Sequence, residues 1–322
     1  MSGRPPAAAR LDPLSVRRLL RDQGLRARHG LSQNFLADPD VLEAILDEAA
    51  AGQGDRVLEI GPGLGVLTGA LLQAGAAVTA VELDRRLAAL LRDRFEPAVG
   101  IGASRPGDAG ALSLVEGDAL DQDLPNLVPP PYRVVANLPY HITSPILHRL
   151  LGSAPRPTCL VLMVQWEVAE RLAAPPGRMS YLSVFVQYHA AVRIARRVPA
   201  EAFEPAPSVA SAVIVLEPYR PGDGAGPRAA AARPDAPAVS DEAALWSLVQ
   251  VGFRERRKMI RNVLTRQLRI GVERVDAALA VVGIAGDRRP QTLGVGEWIA
   301  LLAAFQSTGG LPPDPGATDV DA

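Results

Sequence analysis

The sequence predicts an α/β class fold, doubly wound around a mostly parallel sheet, with a small all-helical domain after it. Three observations carry this. Between residues 56 and 172 short apolar runs alternate with helical stretches. The runs are apolar throughout, as strands covered on both faces are, and do not alternate with polar residues. Beyond a Pro-, Gly- and Ala-rich stretch without periodicity, the remaining chain to about residue 307 reads as helix.

The elements follow in order. Asp38 suits an N-cap and Pro39 a first turn, with Val41, Leu42, Ile45 and Leu46 on one helical face up to about Gly52. Strands are expected at 56–60, 77–81, 113–115, 133–136 and 158–164. Helices are expected through Leu71-Leu72, over 84–95 and over 166–172. Residues 100–110 read as a surface insertion. Residues 191–198 and 211–216 read as two strands joined by the loop Phe203-Glu204-Pro205-Ala206-Pro207, a hairpin-like end to the sheet. The expected organisation is a basic, partly disordered extension over 1–30, an α/β domain over 31–217 and a flexible linker over 218–240. A helical domain follows over 241–308, and a disordered tail over 309–322.

Composition narrows the class. With 48% hydrophobic and 21% charged residues among 322, wholesale disorder is excluded. No apolar run approaches the ~18 residues of a membrane span, and the N-terminus lacks a secretory apolar core. Its Arg- and Ala-rich, acid-poor start also fits a transit peptide, but the whole chain shares that bias. The single Cys159 excludes an internal disulfide and a Cys-based zinc site. A cytoplasmic monomer without membrane partner or metal is expected. The net charge of −1 argues against a uniformly basic RNA-coating protein, yet charge is uneven. Residues 1–30 carry seven Arg against Asp12 and Asp22, and residues 245–275 carry eight basic residues against Glu255 and Glu273. Two basic margins suit phosphate contact, and they equally suit solvated helix faces.

Two motifs carry chemistry. Val57-Leu58-Glu59-Ile60-Gly61-Pro62-Gly63-Leu64-Gly65 is a buried strand running into a Gly turn and a helix, where Gly61 and Gly63 admit a ligand close to the backbone. The spacing is G-x-G-x-G and not the G-x-G-x-x-G of dinucleotide enzymes. Glu82, ending the next strand, can accept both hydroxyls of a ribose. The pair fits S-adenosylmethionine, a nicotinamide or flavin cofactor, or a structural turn with a surface acid. Asp118 could accept from an adenine amine, or simply initiate a turn.

The second motif is Asn137-Leu138-Pro139-Tyr140, at the end of the fourth strand. An aromatic amine is a poor nucleophile because its lone pair is conjugated into the ring. Two acceptors, the Asn137 side-chain oxygen and the Leu138 carbonyl, would hold its N–H groups and favour the pyramidal form. Pro139 steadies that carbonyl, and Tyr140 offers a face for an extruded base. A sulfonium methyl donor would supply the driving force, leaving alignment as the main task. The bland alternative is a strand-end turn.

In these motifs the chain resembles the KsgA family of small-subunit rRNA adenine N6,N6-dimethyltransferases, relatives of the Erm rRNA methyltransferases. The resemblance runs from about Leu31 to Phe305. It rests on Ser32-Gln33-Asn34-Phe35-Leu36, the loop from Glu59 to Thr68, Val81-Glu82-Leu83-Asp84, Gly117-Asp118-Ala119 and Asn137-Leu138-Pro139-Tyr140 with Ile142 and Pro145-Ile146. It continues through Phe203-x-Pro205-x-Pro207-x-Val209-x-Ser211 and Phe253-x-x-Arg256-Arg257-Lys258. It implies a Rossmann-like methyltransferase sheet and S-adenosylmethionine as cofactor. The substrate it implies is two adjacent adenosines near the 3′ end of 16S rRNA in an immature 30S-type particle. By motif matching, Asn34, Leu36, Gly61, Gly63, Glu82, Asp118 and Asn137 would line the cofactor site, and Phe203 would pack or stack the target adenine opposite Tyr140. Arg254, Arg256, Arg257, Lys258 and Arg261 would bind RNA. Arg256-Arg257-Lys258-Met259-Ile260-Arg261-Asn262 and Arg289-Pro290-x-Thr292-Leu293 favour the rRNA-maturation branch over an Erm-type, large-subunit resistance enzyme. Leu31-Ser32 replaces a Gly common in the family, and Ser208 replaces a frequent basic residue. A NAD-dependent oxidoreductase would need a proton donor beside its cofactor, and the only lysine, Lys258, is far from any candidate. A non-catalytic assembly or transcription factor would tolerate loss of the Gly loop or of Asn137, and both are intact.

Overall fold

The computed structural model describes residues 12–24, 33–95, 110–219 and 242–311. Most of the 100–110 insertion, Leu31-Ser32, nearly all of the linker and most of the tail lie outside these residues. The chain divides into two compact units, residues 1–170 with 192–218 and residues 171–191 with 219–322.

The first unit is built on β2 (Arg56–Ile60), α3 (Val66–Gln73), β3 (Ala77–Glu82), α4 (Arg85–Phe95), β4 (Leu112–Glu116), β5 (Arg133–Asn137), α6 (Thr143–Gly152), β6 (Cys159–Gln165) and α7 (Trp166–Leu172). Its seven-stranded sheet has the order β4-β3-β2-β5-β6-β9-β7, with β7 (Ala190–Val198) and β9 (Ser211–Pro218). Parallel pairing joins β4, β3, β2, β5 and β6, and β9 runs antiparallel to β6. The expected closing pair is thus present, with its second strand inserted between β6 and β7. The chain leaves β2 toward β3 and β4, then crosses back to β5. That reversal opens a crevice at the carboxyl ends of β2 and β5, where open α/β sheets bind ligands. The core under it is apolar on both faces, with Val57, Leu58, Val134, Val135, Leu160 and Leu162 all fully buried.

A small antiparallel pair, β1 (Phe35–Leu36) with β8 (Phe203–Glu204), ties the segment before α2 (Pro39–Ala49) to the Pro-rich loop through Leu36 opposite Phe203. Asp38 caps α2 as expected, accepting from the N–H groups of Asp40 and Val41.

The N-terminal extension contains a helix that the reading of 1–30 as a basic, partly disordered arm does not anticipate. α1 (Pro13–Asp22) is capped by Asp12, whose carboxylate accepts from Ser15 N–H at 2.8 Å. Val16 and Leu20 pack with Phe35, Leu64, Leu87 and Leu90. Arg17 reaches Glu204 of β8 at 2.8 Å. The signal was an Asp-Pro start ahead of a two-residue apolar stripe, outweighed by the surrounding arginines.

The second unit comprises α8 (Tyr181–His189), α9 (Glu242–Phe253), α10 (Ile260–Leu268), α11 (Val272–Val281) and α12 (Val295–Ser307). Its core centres on Trp298, fully buried, against which a Cβ at Gly252 would come within 2.4 Å. The expected boundary at 218 therefore shifts for one segment. Residues 171–191 group with the C-terminal helices, because Tyr181, Phe185 and Tyr188 stack around Trp246. Arg256-Arg257-Lys258 also differs from a helical basic face. It lies in the turn between α9 and α10, where the Lys258 N–H donates to the Glu255 carbonyl at 2.9 Å.

Candidate active site

A cavity opens at the crevice between β2 and β5, lined by residues of both motifs. Its floor is the Gly turn. Gly61, Gly63 and Gly65 all have positive φ (70°, 59° and 74°), which side chains rarely tolerate. Close packing adds to this. A Cβ on Gly61 would sit 3.5 Å from Pro139 Cδ, and one on Gly65 would strike Leu91 and Phe95 at 2.6 and 2.7 Å. The Gly turn thus lies directly against the Asn137-Leu138-Pro139-Tyr140 motif.

Glu82 ends β3 and is 5% exposed. Its two oxygens accept from Gly63 N–H at 3.0 Å and Asp84 N–H at 2.8 Å, so it orients the Gly turn as well as lining the cavity. Burial pushes its carboxyl up, against these two donors. Asp118 Oδ1 accepts from Leu120 N–H at 2.8 Å, as a turn-initiating Asp does, and the residue lines the cavity. Asn34, Leu36, Asn137, Leu138, Pro139 and Tyr140 line it too.

The Asn137 side chain is held in one orientation. Its Nδ2 donates to the Asn34 carbonyl at 3.2 Å, which leaves Oδ1 as the acceptor end of the amide. Leu138 N–H donates to the Met163 carbonyl of β6 at 3.2 Å, so the residue whose carbonyl is the second proposed acceptor is tied to the sheet by its N–H. Tyr140 Oη and Ser211 Oγ lie 2.9 Å apart, and Ser211 is fully buried. Sequence reasoning gave Ser211 no role, since the two residues are 71 positions apart and only the fold joins them.

Phe203 does not reach the cavity. It is 2% exposed and belongs to the core beneath β1, packed with Leu36, Val41 and Ile45. Its place is packing behind the wall; stacking on a base would require an open ring face, which burial denies it. Of the basic residues, Arg256, Arg257 and Lys258 are exposed, and among the described residues they make no ion pair. Arg261 is exposed too, but its guanidinium grips Asp276 through two 2.6 Å contacts, so part of its charge is already neutralised. Arg254 is exposed, 3.4 Å from Gln267 Oε1.

Glu59 is the group the sequence reading left without a role. It is 1% exposed, lines the cavity and accepts from Thr68 Oγ1 at 2.7 Å. Burial pushes its carboxyl up to about 8, with the nearby Glu82 charge adding to this and the Thr68 hydrogen bond opposing it. Near neutral pH it is therefore mostly protonated. Because the folded value lies above the unfolded one, its contribution to stability is complete below about pH 4.5 and is lost as pH rises through about 8. Glu59→Gln should remove that dependence. The Tm of the variant relative to wild type is expected to rise steadily from pH 5 to pH 8.5, following a loss of wild-type stability on the order of a few kcal/mol at ~1.4 kcal/mol per pKa unit. Parallel Tm curves would show that the carboxyl is already ionised in the fold at neutral pH.

The comparisons with known proteins agree with this geometry. A family model described as ribosomal RNA adenine dimethylase matches residues 24–306. The ribosomal RNA small subunit methyltransferase A of Anaeromyxobacter sp. (strain K) is 41% identical over 300 residues, covering 89% of this chain and 96% of that one. The protein of the same name from Geobacter sulfurreducens is 39% identical over 298 residues, covering 90% and 99%. Among solved structures, a dimethyladenosine transferase from Plasmodium falciparum superposes with a TM-score of 0.65 at 24% identity, over 86% of this chain and 99% of that one. The 23S rRNA methyltransferase ErmE gives 0.62 at 27% identity, over 85% and 100%.

Proposed function

The chain belongs to the ribosomal RNA adenine dimethylase family, and from that premise we propose that it dimethylates the N6 amino groups of two adjacent adenosines near the 3′ end of 16S rRNA. The proposed methyl donor is S-adenosylmethionine, the substrate an immature 30S-type particle, and the setting the cytoplasm, with the protein acting as a monomer. The observation that carries this reading is that the Gly turn and Asn137-Leu138-Pro139-Tyr140 line one cavity, a nucleoside-binding floor beside an amine-holding motif. The large-subunit alternative rests on likeness to ErmE alone, whereas the relatives at about 40% identity carry the small-subunit name.

The donor set fits such a cofactor. Glu82 would offer a carboxylate to ribose hydroxyls, Asp118 would accept from an adenine amine, and the glycines would let the backbone approach the methionine end. Bound there, the cofactor supplies an electrophilic methyl group. The protein's part is positioning: Asn137 Oδ1 and the Leu138 carbonyl accept the two N–H groups of the target amine, and Tyr140, braced by Ser211, stacks on its ring. As nitrogen gains positive charge, the two acceptors stabilise it, and its proton leaves to solvent.

Glu82→Ala should weaken S-adenosylmethionine binding about ten- to hundred-fold, the worth of charge-assisted hydrogen bonds of roughly 1.5–3 kcal/mol. Glu82→Gln, which keeps one acceptor for the Gly turn, should fall between. Unchanged affinity in calorimetry would remove Glu82 from the cofactor site. For the function as a whole, the deciding experiment is transfer of labelled methyl groups to undermodified small subunits, followed by mapping of the modified bases. Label confined to two adjacent adenosines near the 3′ end is expected; no label, or label elsewhere on the small-subunit RNA, would overturn the reading.

A further inference from the structure

Trp166 opens α7 at the carboxyl edge of the sheet, the edge that holds the cavity. The residue before it, Gln165, stands opposite Ser211 in the β6–β9 ladder, and Trp166 N–H donates to the Ala210 carbonyl at 2.9 Å. Ser211 is the residue that braces Tyr140. Trp166 therefore emerges one step along the chain from the pair that positions the base-stacking ring. Of the other two tryptophans, Trp298 is fully buried and Trp246 is half-buried against the core of the helical unit; Trp166, also half-buried, lies outside that unit.

Arg197, near the end of the edge strand β7, lays its guanidinium over the Trp166 ring, 4.7 Å from the centroid. Its neighbours on β7 are committed within the protein: Arg193 pairs with Glu48, and Arg196 donates to the Asp40 carbonyl at 2.9 Å. Arg197 is exposed, and among the described residues it has no acidic partner. The ring holds the side chain in place and leaves its N–H groups for an outside acceptor. Val209, 44% exposed, precedes Ala210, the residue that accepts from Trp166 N–H, and adds apolar surface on the loop leading into Ser211.

A half-buried indole, a guanidinium pinned over it and an exposed Val two residues before Ser211, which braces Tyr140, match what single-stranded RNA requires: a stacking face and a phosphate contact, side by side. We propose that Trp166, Arg197 and Val209 form a ledge that takes the nucleotide next to the target adenosine, its base against the indole and Val209 and its phosphate on Arg197. This rests on the RNA reading above. Such stacking tolerates any base, so the ledge would steady the unstacked strand without adding sequence preference.

The test uses the full chain and a short single-stranded RNA with two adjacent adenosines flanked by 2-aminopurine. Wild type should quench the probe on binding. Trp166→Ala should lower affinity roughly five- to hundred-fold and lose the quench, with Trp166→Phe retaining most of both. Arg197→Ala should reduce the log–log salt slope by about 0.7, the value of one phosphate contact on a single strand. Cofactor titration on each variant establishes that the fold is intact. RNA affinity within two-fold of wild type for both alanine variants, with quench and slope unchanged, would overturn the ledge and leave Arg197 as a charge guarding the sheet edge. Labelled-methyl transfer to undermodified small subunits by wild type separates the two readings: label on RNA with no effect of either substitution sinks the ledge alone, and no label sinks the RNA reading itself.

Discussion

Asn137→Ala is expected to slow single-turnover methyl transfer by about 10²–10³-fold while RNA affinity stays within a few-fold of wild type. The reason lies in when the interaction matters. The side-chain oxygen meets an amine N–H before reaction and an increasingly positive nitrogen during it, so the contact strengthens toward the transition state and its loss appears in turnover. The amide is also held ready, with Nδ2 on the Asn34 carbonyl, so no reorganisation is needed as charge develops. Because that bond ties the motif to the wall formed by Asn34 and Leu36, cofactor affinity should fall modestly as well. Tyr140→Ala should behave differently, losing ~1–3 kcal/mol of base stacking and affecting binding as well as rate. Single-turnover assays with saturating RNA and cofactor separate the two. Transfer by Asn137→Ala within a few-fold of wild type would refute the amine-holding mechanism.

The strands and the site's two motifs were legible because each is local. Runs such as Val57-Leu58-Glu59-Ile60 and Val134-Val135-Ala136 declare buried parallel strands, and the Gly turn and Asn137-Leu138-Pro139-Tyr140 follow directly from strand ends. What remained hidden depends on contacts between distant segments. Ser211 is an ordinary serine until β9 pairs with β6 and brings it to Tyr140. Motif matching set Phe203 to pack or stack against the target adenine, yet pairing of β8 with β1 turns it into the core, 2% exposed. Residues 171–191 follow the sheet in sequence but carry an aromatic face that matches Trp246 in the helical unit. The turn at Arg256-Arg257-Lys258 has no Gly or Pro to announce it. It exists because Ile260 must be buried and its N–H bonds to the Arg288 carbonyl at 2.7 Å.

That turn sets up a prediction about where RNA affinity originates. Converting Arg256, Arg257 and Lys258 together to Glu should lower RNA affinity on the order of 10²-fold at low salt. It should also flatten the log–log salt slope by about 0.9 or less per lost phosphate contact. Each of these side chains is exposed, and the turn beneath them is built independently of their charge. Glu255 is tied to Arg266 and, at 2.7 Å, to Gln267, and Ile260 is fully buried. Thermal stability should therefore change by no more than about 0.5 kcal/mol, as for ordinary surface substitutions. Cofactor affinity should not change at all. Arg261→Ala serves as the internal contrast: its guanidinium already faces Asp276, so its removal takes away little net positive field and should cost much less RNA affinity than the triple reversal. Filter binding across a salt series reads both quantities at once. Wild-type affinity and slope in the triple variant would reduce the cluster to a solvated turn. A loss as large for Arg261→Ala as for the triple reversal would mean that the ion pair with Asp276 opens to make room for phosphate.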